Sequence, residues 1–214
     1  SQQRTHRAQQ RGFFAGEITP VRVPIRRQDP VLVSQDEHPR PDTNLDALKR
    51  LKPFVKQDGT LTAGNSSGMN DGAAMLLLAS DDALAKYGLN PMARVIGATV
   101  VGLEPTIMGM GPVPATKRLL GKLGVELADI GVIEINEAFA SQSLAVLREL
   151  GLPDDAEHVN RNGGAISIGH PLGMSGTRLL LTAARQLQEV DSRYALCTMC
   201  VGVGQGVAML LERA

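Results

Sequence analysis

The chain is short of three things, and each shortage excludes a class of protein. Its 214 residues hold only two cysteines, Cys197 and Cys200, too few for a disulfide-stapled secreted scaffold, so a reducing, cytoplasmic setting is expected. Charge of one sign is missing too: 22 lysines and arginines balance 22 aspartates and glutamates, leaving no global field to draw nucleic acid or an anionic membrane. No apolar run nears the roughly 20 residues needed to span a bilayer. The longest, Ala73 to Ala79, suits a buried strand. Repeats and low-complexity tracts are absent as well.

Ser1 to Arg11 is basic, free of acidic residues and rich in glutamine. Its apolar residues are too few for an amphipathic targeting face, so an exposed helix is expected. A first residue that is not methionine suggests a processed or partial chain. Pro20 to Pro41 carries five prolines and reads as extended and irregular, with Arg22, Arg26, Arg27 and Arg40 giving it local positive character. A short helix is expected over Thr43 to Lys52, stopped by Pro53.

From Gly72 onward strands and helices alternate. Ser80 offers a cap to a helix over Ala83 to Tyr87, and Pro91 to Val101 alternates like a strand. Pro112 and Pro114 open an amphipathic helix through Lys122, closed by Gly124. A buried strand over Gly131 to Ile135 precedes helices over Glu137 to Leu150 and Ser175 to Val190. Two further strands, Tyr194 to Cys200 and Val207 to Leu211, end the series. That alternation predicts a layered α/β fold with both sheet faces covered.

Reactive side chains gather where strands run into glycine-rich loops. Thr62 to Ala74 lets a ligand approach backbone closely and offers the Ser66 and Ser67 hydroxyls, although a plain glycine-rich turn entering a buried strand is the simpler local explanation. Asn136 and Glu137 follow a strand end, a common place for ligand-facing groups, and Asn136 could equally cap a helix. Five glycines surround His170 within Asn160 to Gly176, at spacings that do not fit the dinucleotide pattern G-x-G-x-x-G. The Cys197 and Cys200 pair has C-x-x-C spacing but no partner pair for zinc, and it runs into glycines rather than opening a redox helix. Cys197 reads as core and Cys200, on the opposite strand face, as the thiol free to react, with the Gly202 amide placed to stabilise an oxyanion.

Together, N-E-A-F-A at Asn136 to Ala140, N-G-G-A-I-S-I-G-H-P-L-G at Asn162 to Gly173 and C-V-G-V-G-Q-G at Cys200 to Gly206 resemble the thiolase family, as does T-A-G-N-S-S-G-M-N-D-G-A-A upstream. The similarity runs from about Gly12 onward. Leu147 to Val159 and Cys197 to Gly206 look like the 3-oxoadipyl-CoA thiolases of aromatic degradation. Arg161 and Ser66 depart from the pattern, where a small residue or proline and an alanine are usual.

The resemblance implies an acyltransferase that forms or cleaves 3-oxoacyl-CoA, with coenzyme A or acetyl-CoA as substrate and no permanently bound cofactor or metal. On its template His170 is the base for a nucleophilic cysteine, Cys200 the second proton shuttle, Asn136 an enolate stabiliser through water, and Gly202 an oxyanion donor. Ala63, Ser66 and Ser67 contact pantetheine, Met108 and Phe139 line the acyl channel, and Arg40 faces the coenzyme A phosphates. Neither cysteine takes the place of the acyl-accepting one, so the resemblance implies an acid–base half-site. It further implies a layered α/β/α/β/α fold with a mixed sheet. Residues 1–68 would be a remnant of the loop domain, 69–90 the last strand and helix of the N-terminal domain, and 91–214 the C-terminal domain. The implied partners are a homo-oligomer and an N-terminal thiolase half. A non-catalytic coenzyme A-binding module and a Cys–His hydrolase using Cys200 are the competing readings.

Overall fold

The computed structural model describes residues 1–214. Its main sheet contains β3 (Ala93–Gly102), β4 (Ile130–Ile135), β5 (Tyr194–Val201) and β6 (Gln205–Arg213), in the order β3-β6-β5-β4. Strands β4 and β5 pair in parallel and the other neighbours antiparallel, so the sheet is mixed. A parallel pair needs a long crossover, and here it includes α5 (Ala140–Glu149), α6 (Ala165–Ile168) and α7 (Leu172–Glu189). Both parallel strands therefore end at the same edge of the sheet.

Period-two alternation sends successive side chains to opposite faces. On one face Ile133, Ile135, Leu196, Ala208 and Leu210 pack with Leu119 and Leu120 of α4 (Pro112–Leu123) and with Val146 and Leu147 of α5. On the other, Val132, Ala195, Cys197 and Leu211 pack with Leu179, Ala183 and Leu187 of α7. Each fully buried leucine contributes about 1.5–3 kcal/mol relative to exposure. Pro112 starts α4 and Gly124, at φ 64°, ends it in the left-handed region, as expected. The start of α4 lies hard against β6: a Cβ on Gly206 would sit 2.0 Å from the Gly111 carbonyl oxygen, so only glycine fits there.

Around this body lie α1 (Gln2–Gln10), a hairpin of β1 (Val21–Val23) and β2 (Val31–Val33), α2 (Leu45–Lys49) and α3 (Asp81–Tyr87). Ser80 caps α3, its hydroxyl accepting from the Ala83 amide at 3.2 Å.

Several expectations need correction. Ala73 to Ala79 forms no strand: no other strand lies alongside it, and Met75, Leu77 and Leu78 are 79–90% exposed. Apolar content cannot supply the ladder partner that a strand requires. The first helix is not simply exposed, since Thr5 and Ala8 are buried and Phe13 and Phe14 pack beside it with Ile168. The irregular Pro20–Pro41 stretch contains the short hairpin, all of whose strand residues are exposed. Helix α2 is only five residues long because Asn44 caps it and Pro53 lies close behind. Helix α5 begins at Ala140 rather than Glu137, since a bridge between Phe139 and Ser66 holds the preceding backbone extended.

Candidate active site

The shared C-terminal edge of β4 and β5 collects the motif residues. Asn136 leaves β4 with its amide donating to the Thr198 carbonyl of β5 at 3.0 Å, and its side chain is fully buried. It does not cap α5, whose N-cap is Phe139 with no side-chain bond. Asn160 clasps the same strand end, exchanging bonds with the Ile135 amide (2.8 Å) and carbonyl (2.9 Å) and donating to Glu137 at 2.9 Å. The Glu137 carboxylate also takes the Ile166 amide, so it organises the loop between α5 and α7.

His170 sits just ahead of α7, after Gly169 at φ 92°, a backbone angle that favours glycine. Its amide donates to the Gly68 carbonyl at 2.9 Å. Its ring bonds Asn136 through Nε2 at 3.2 Å and Ser175 through Nδ1 at 2.5 Å. These two contacts set the tautomer. Ser175 has one hydroxyl proton and donates it to the Pro171 carbonyl at 2.9 Å, so it must accept from Nδ1–H. Nε2 then carries the lone pair and accepts from Asn136. Burial, aided by the Arg178 charge, holds the imidazole pKa below its ordinary value, which keeps the ring neutral at pH 7. The Asn136 Oδ1 is buried with no protein donor.

The 62–72 loop is stitched across this edge. Ser67 N–H donates to the Ala138 carbonyl at 3.0 Å, and Ala140 N–H to the Asn65 carbonyl at 2.9 Å. Ser66 is thereby buried, Ser67 half-buried and Ala63 exposed. Phe139 and Met108 are half-buried, the latter in a 3-10 turn over Pro105–Met110 that packs on α5. Arg40 is exposed, its guanidinium curled onto the Glu37, His38 and Pro39 carbonyls at 3.1–3.4 Å.

Cys200 is the penultimate residue of β5, two beyond Thr198, buried, with its thiol pKa raised by that burial. It lies at the same sheet edge but forms no hydrogen bond to His170 or Asn136. Cys197 faces α7 in the core, its thiol donating to the Leu179 carbonyl at 3.5 Å. Gly202 lies exposed in the β5–β6 turn, next to Val203, which adopts φ 61°. Sequence reasoning missed Ser175, Asn160 and the Glu134–Arg178 pair behind the site. The only available signal was their closeness in sequence to the motif residues, Glu134 lying two residues before Asn136 and Ser175 and Arg178 on the helix that follows His170.

Two family models cover the chain: the thiolase N-terminal domain over residues 1–82 and the thiolase C-terminal domain over residues 89–213. A β-ketoadipyl-CoA thiolase of Pseudomonas aeruginosa is 60% identical over 213 residues, covering 100% of this chain and 53% of the relative. A 3-oxoadipyl-CoA/3-oxo-5,6-dehydrosuberyl-CoA thiolase of Escherichia coli is 56% identical with the same coverage. The acetyl-CoA acetyltransferase structure from Bacillus anthracis superposes with a TM-score of 0.95 at 42% identity, over 100% of this chain and 54% of that one. Human mitochondrial 3-ketoacyl-CoA thiolase in complex with CoA gives 0.92 at 44% identity, over 100% and 52% respectively. The chain thus spans about half the length of the relatives it matches. With both family models matched in order and a relative 60% identical across it, this chain belongs to the thiolase family.

Proposed function

We propose that this chain supplies the acid–base half of a thiolase active site acting on 3-oxoadipyl-CoA or a related 3-oxoacyl-CoA. The observation that carries this reading is the His170 ring, held by Ser175 on one nitrogen and presenting a lone pair beside Asn136 on the other. Relatives 55–60% identical are β-ketoadipyl-CoA thiolases, which supports the acyl class. On this reading the domain division is residues 1–68, 69–90 and 91–214.

In cleavage, His170 Nε2 takes the proton of a nucleophilic cysteine that is neither Cys197 nor Cys200, and the thiolate attacks the 3-oxo carbon. The bond between C2 and C3 breaks, its electron pair passing into the acetyl-CoA enolate. A water bound to the orphaned Asn136 Oδ1, together with His170, stabilises the enolate oxygen. The Cys200 thiol returns a proton to C2, and the thiolate so formed deprotonates incoming coenzyme A, whose sulfur releases the acyl group. The Gly202 amide holds the acyl-enzyme oxyanion. Ala63, Ser66 and Ser67 contact pantetheine, Met108 and Phe139 flank the acyl chain, and Arg40 swings out to the phosphates. This chemistry needs no metal or redox group.

The test mixes the chain with the first half of the Pseudomonas aeruginosa relative and follows thiolysis of 3-oxoadipyl-CoA. Turnover should appear with both segments and not with the chain alone, and His170→Ala should lower kcat about 10²–10⁴-fold. Coenzyme A binding with no turnover in the mixture, while the intact relative is active, would reduce the chain to a binding module. Stable acylation of Cys200 by the chain alone would favour a hydrolase instead.

A further inference from the structure

Asn136 and His170 reach one point from different elements, the end of β4 and the loop before α7. Their direct link is one neutral hydrogen bond at 3.2 Å. A single neutral hydrogen bond is too weak to hold two loops in register. A stronger connection lies behind them. Glu134, fully buried, precedes Asn136 by two residues and so points from β4 to the same sheet face. Its carboxylate accepts from Arg178 Nη1 at 2.8 Å and Gln186 Nε2 at 2.6 Å. Both donors belong to α7, the helix that His170 introduces, and Arg178 is itself buried. One carboxylate on the Asn136 strand therefore grips two points on the His170 helix. Replacing a buried ion pair with well-packed apolar residues is often neutral or stabilising, so stability alone does not account for charge at this position.

We propose that Glu134 and Arg178 are positioning residues: an ion-paired strap that fixes α7 against β4 and sets the charge His170 experiences. The proposal rests on reading His170 as the base. Arg178 opposes protonation of the ring, and its ion pair with Glu134 at 2.8 Å sets an opposite charge against that field. The other charged or titratable groups carried by elements packed around His170 are Glu137 beyond β4, Cys200 near the end of β5, Asp71 in the loop that accepts its amide, and His38, whose ring packs on Gly68 of that loop. Glu17 and Arg185 flank the far side of the strap, 3.9 Å apart.

The strap predicts opposite effects from its two halves. Nuclear magnetic resonance titration of the His170 ring in the 214-residue chain reads them without turnover, the signal being assigned by its loss in His170→Gln. Arg178→Met should move the His170 midpoint upward, because a cation is removed. Glu134→Gln should move it downward, because the cation is left uncompensated. Arg178→Lys, which keeps the charge, should restore the midpoint. A purely structural pair would move both single variants in one direction or neither, and that result in natively folded variants would overturn the proposal. If Arg178→Met does not fold, near-isosteric Glu134→Gln decides alone: a lower midpoint supports the strap, and an unchanged or higher one sinks it. These shifts stand whether or not the chain takes part in thiolysis, so failure of the functional reading would be seen separately.

Discussion

Ser175 shows how one hydroxyl can decide what an imidazole does. Because its proton is committed to Pro171, it receives the Nδ1 proton of His170 and leaves Nε2 as the acceptor. Ser175→Ala frees the ring to adopt the other tautomer. In a thiolysis-competent assembly, loss of that bond, about 1.4 kcal/mol, should lower kcat about tenfold with KM for the thioester unchanged, as steady-state kinetics would measure. Val203 carries strain at the same scale. A β-branched residue at φ 61° is an outlier, and this one is 82% exposed, so it gains little packing in return. Val203→Asn should stabilise the fold by about 1 kcal/mol, read as a higher urea midpoint with unchanged slope.

Helix α7 is the element on which most of the site depends. Its apolar face packs on β4, β5 and β6, while Arg178, Thr182, Arg185 and Gln186 meet Glu134 and Glu17 beneath it. Burial pushes the Glu17 carboxyl up from 4.5 to about 7, against the lowering pull of the Thr182 hydroxyl. A raised carboxyl pKa means that the folded state binds the proton more tightly than the unfolded chain. Stability should therefore fall as pH rises between about 4.5 and 7, and stay at the lower value above that window. Glu17→Gln should flatten the fall by about 1–3 kcal/mol in urea denaturation compared at pH 5 and pH 8, whereas a slope unchanged from the parent would refute this account.

At the scale of the whole molecule, the apolar segment over 69–79 sets behaviour in solution. Met69, Met75, Leu77 and Leu78, all within this segment, are 79–95% exposed. Exposed apolar patches of this kind drive association. The purified chain should self-associate in analytical ultracentrifugation as its concentration rises, and Leu77→Ser with Leu78→Ser should shift it toward monomer. If the doubly substituted chain sediments like the parent, that segment is not the adhesive surface.

Much of this was legible in the residues themselves. Period-two alternation located β3, apolar strand-like runs located β4, β5 and β6, and proline and glycine punctuation located α4, because these signals act locally through backbone sterics and burial. The four motif blocks, through their resemblance to the thiolase family, put forward His170, Asn136 and Cys200, and the structure joins the first two by a hydrogen bond. Local pattern failed where the outcome depends on a distant partner. Ala73 to Ala79 has strand composition but no neighbour to complete its ladder, and α5 starts late because Ser66 reaches it from far along the chain. Only the tertiary structure brought Ser175 to the His170 ring, clasped β4 with Asn160 and joined Glu134 to Arg178 across 44 residues. Those contacts are set by how strands and helices pack, and hydrogen bonds between remote side chains leave no periodic trace in a sequence.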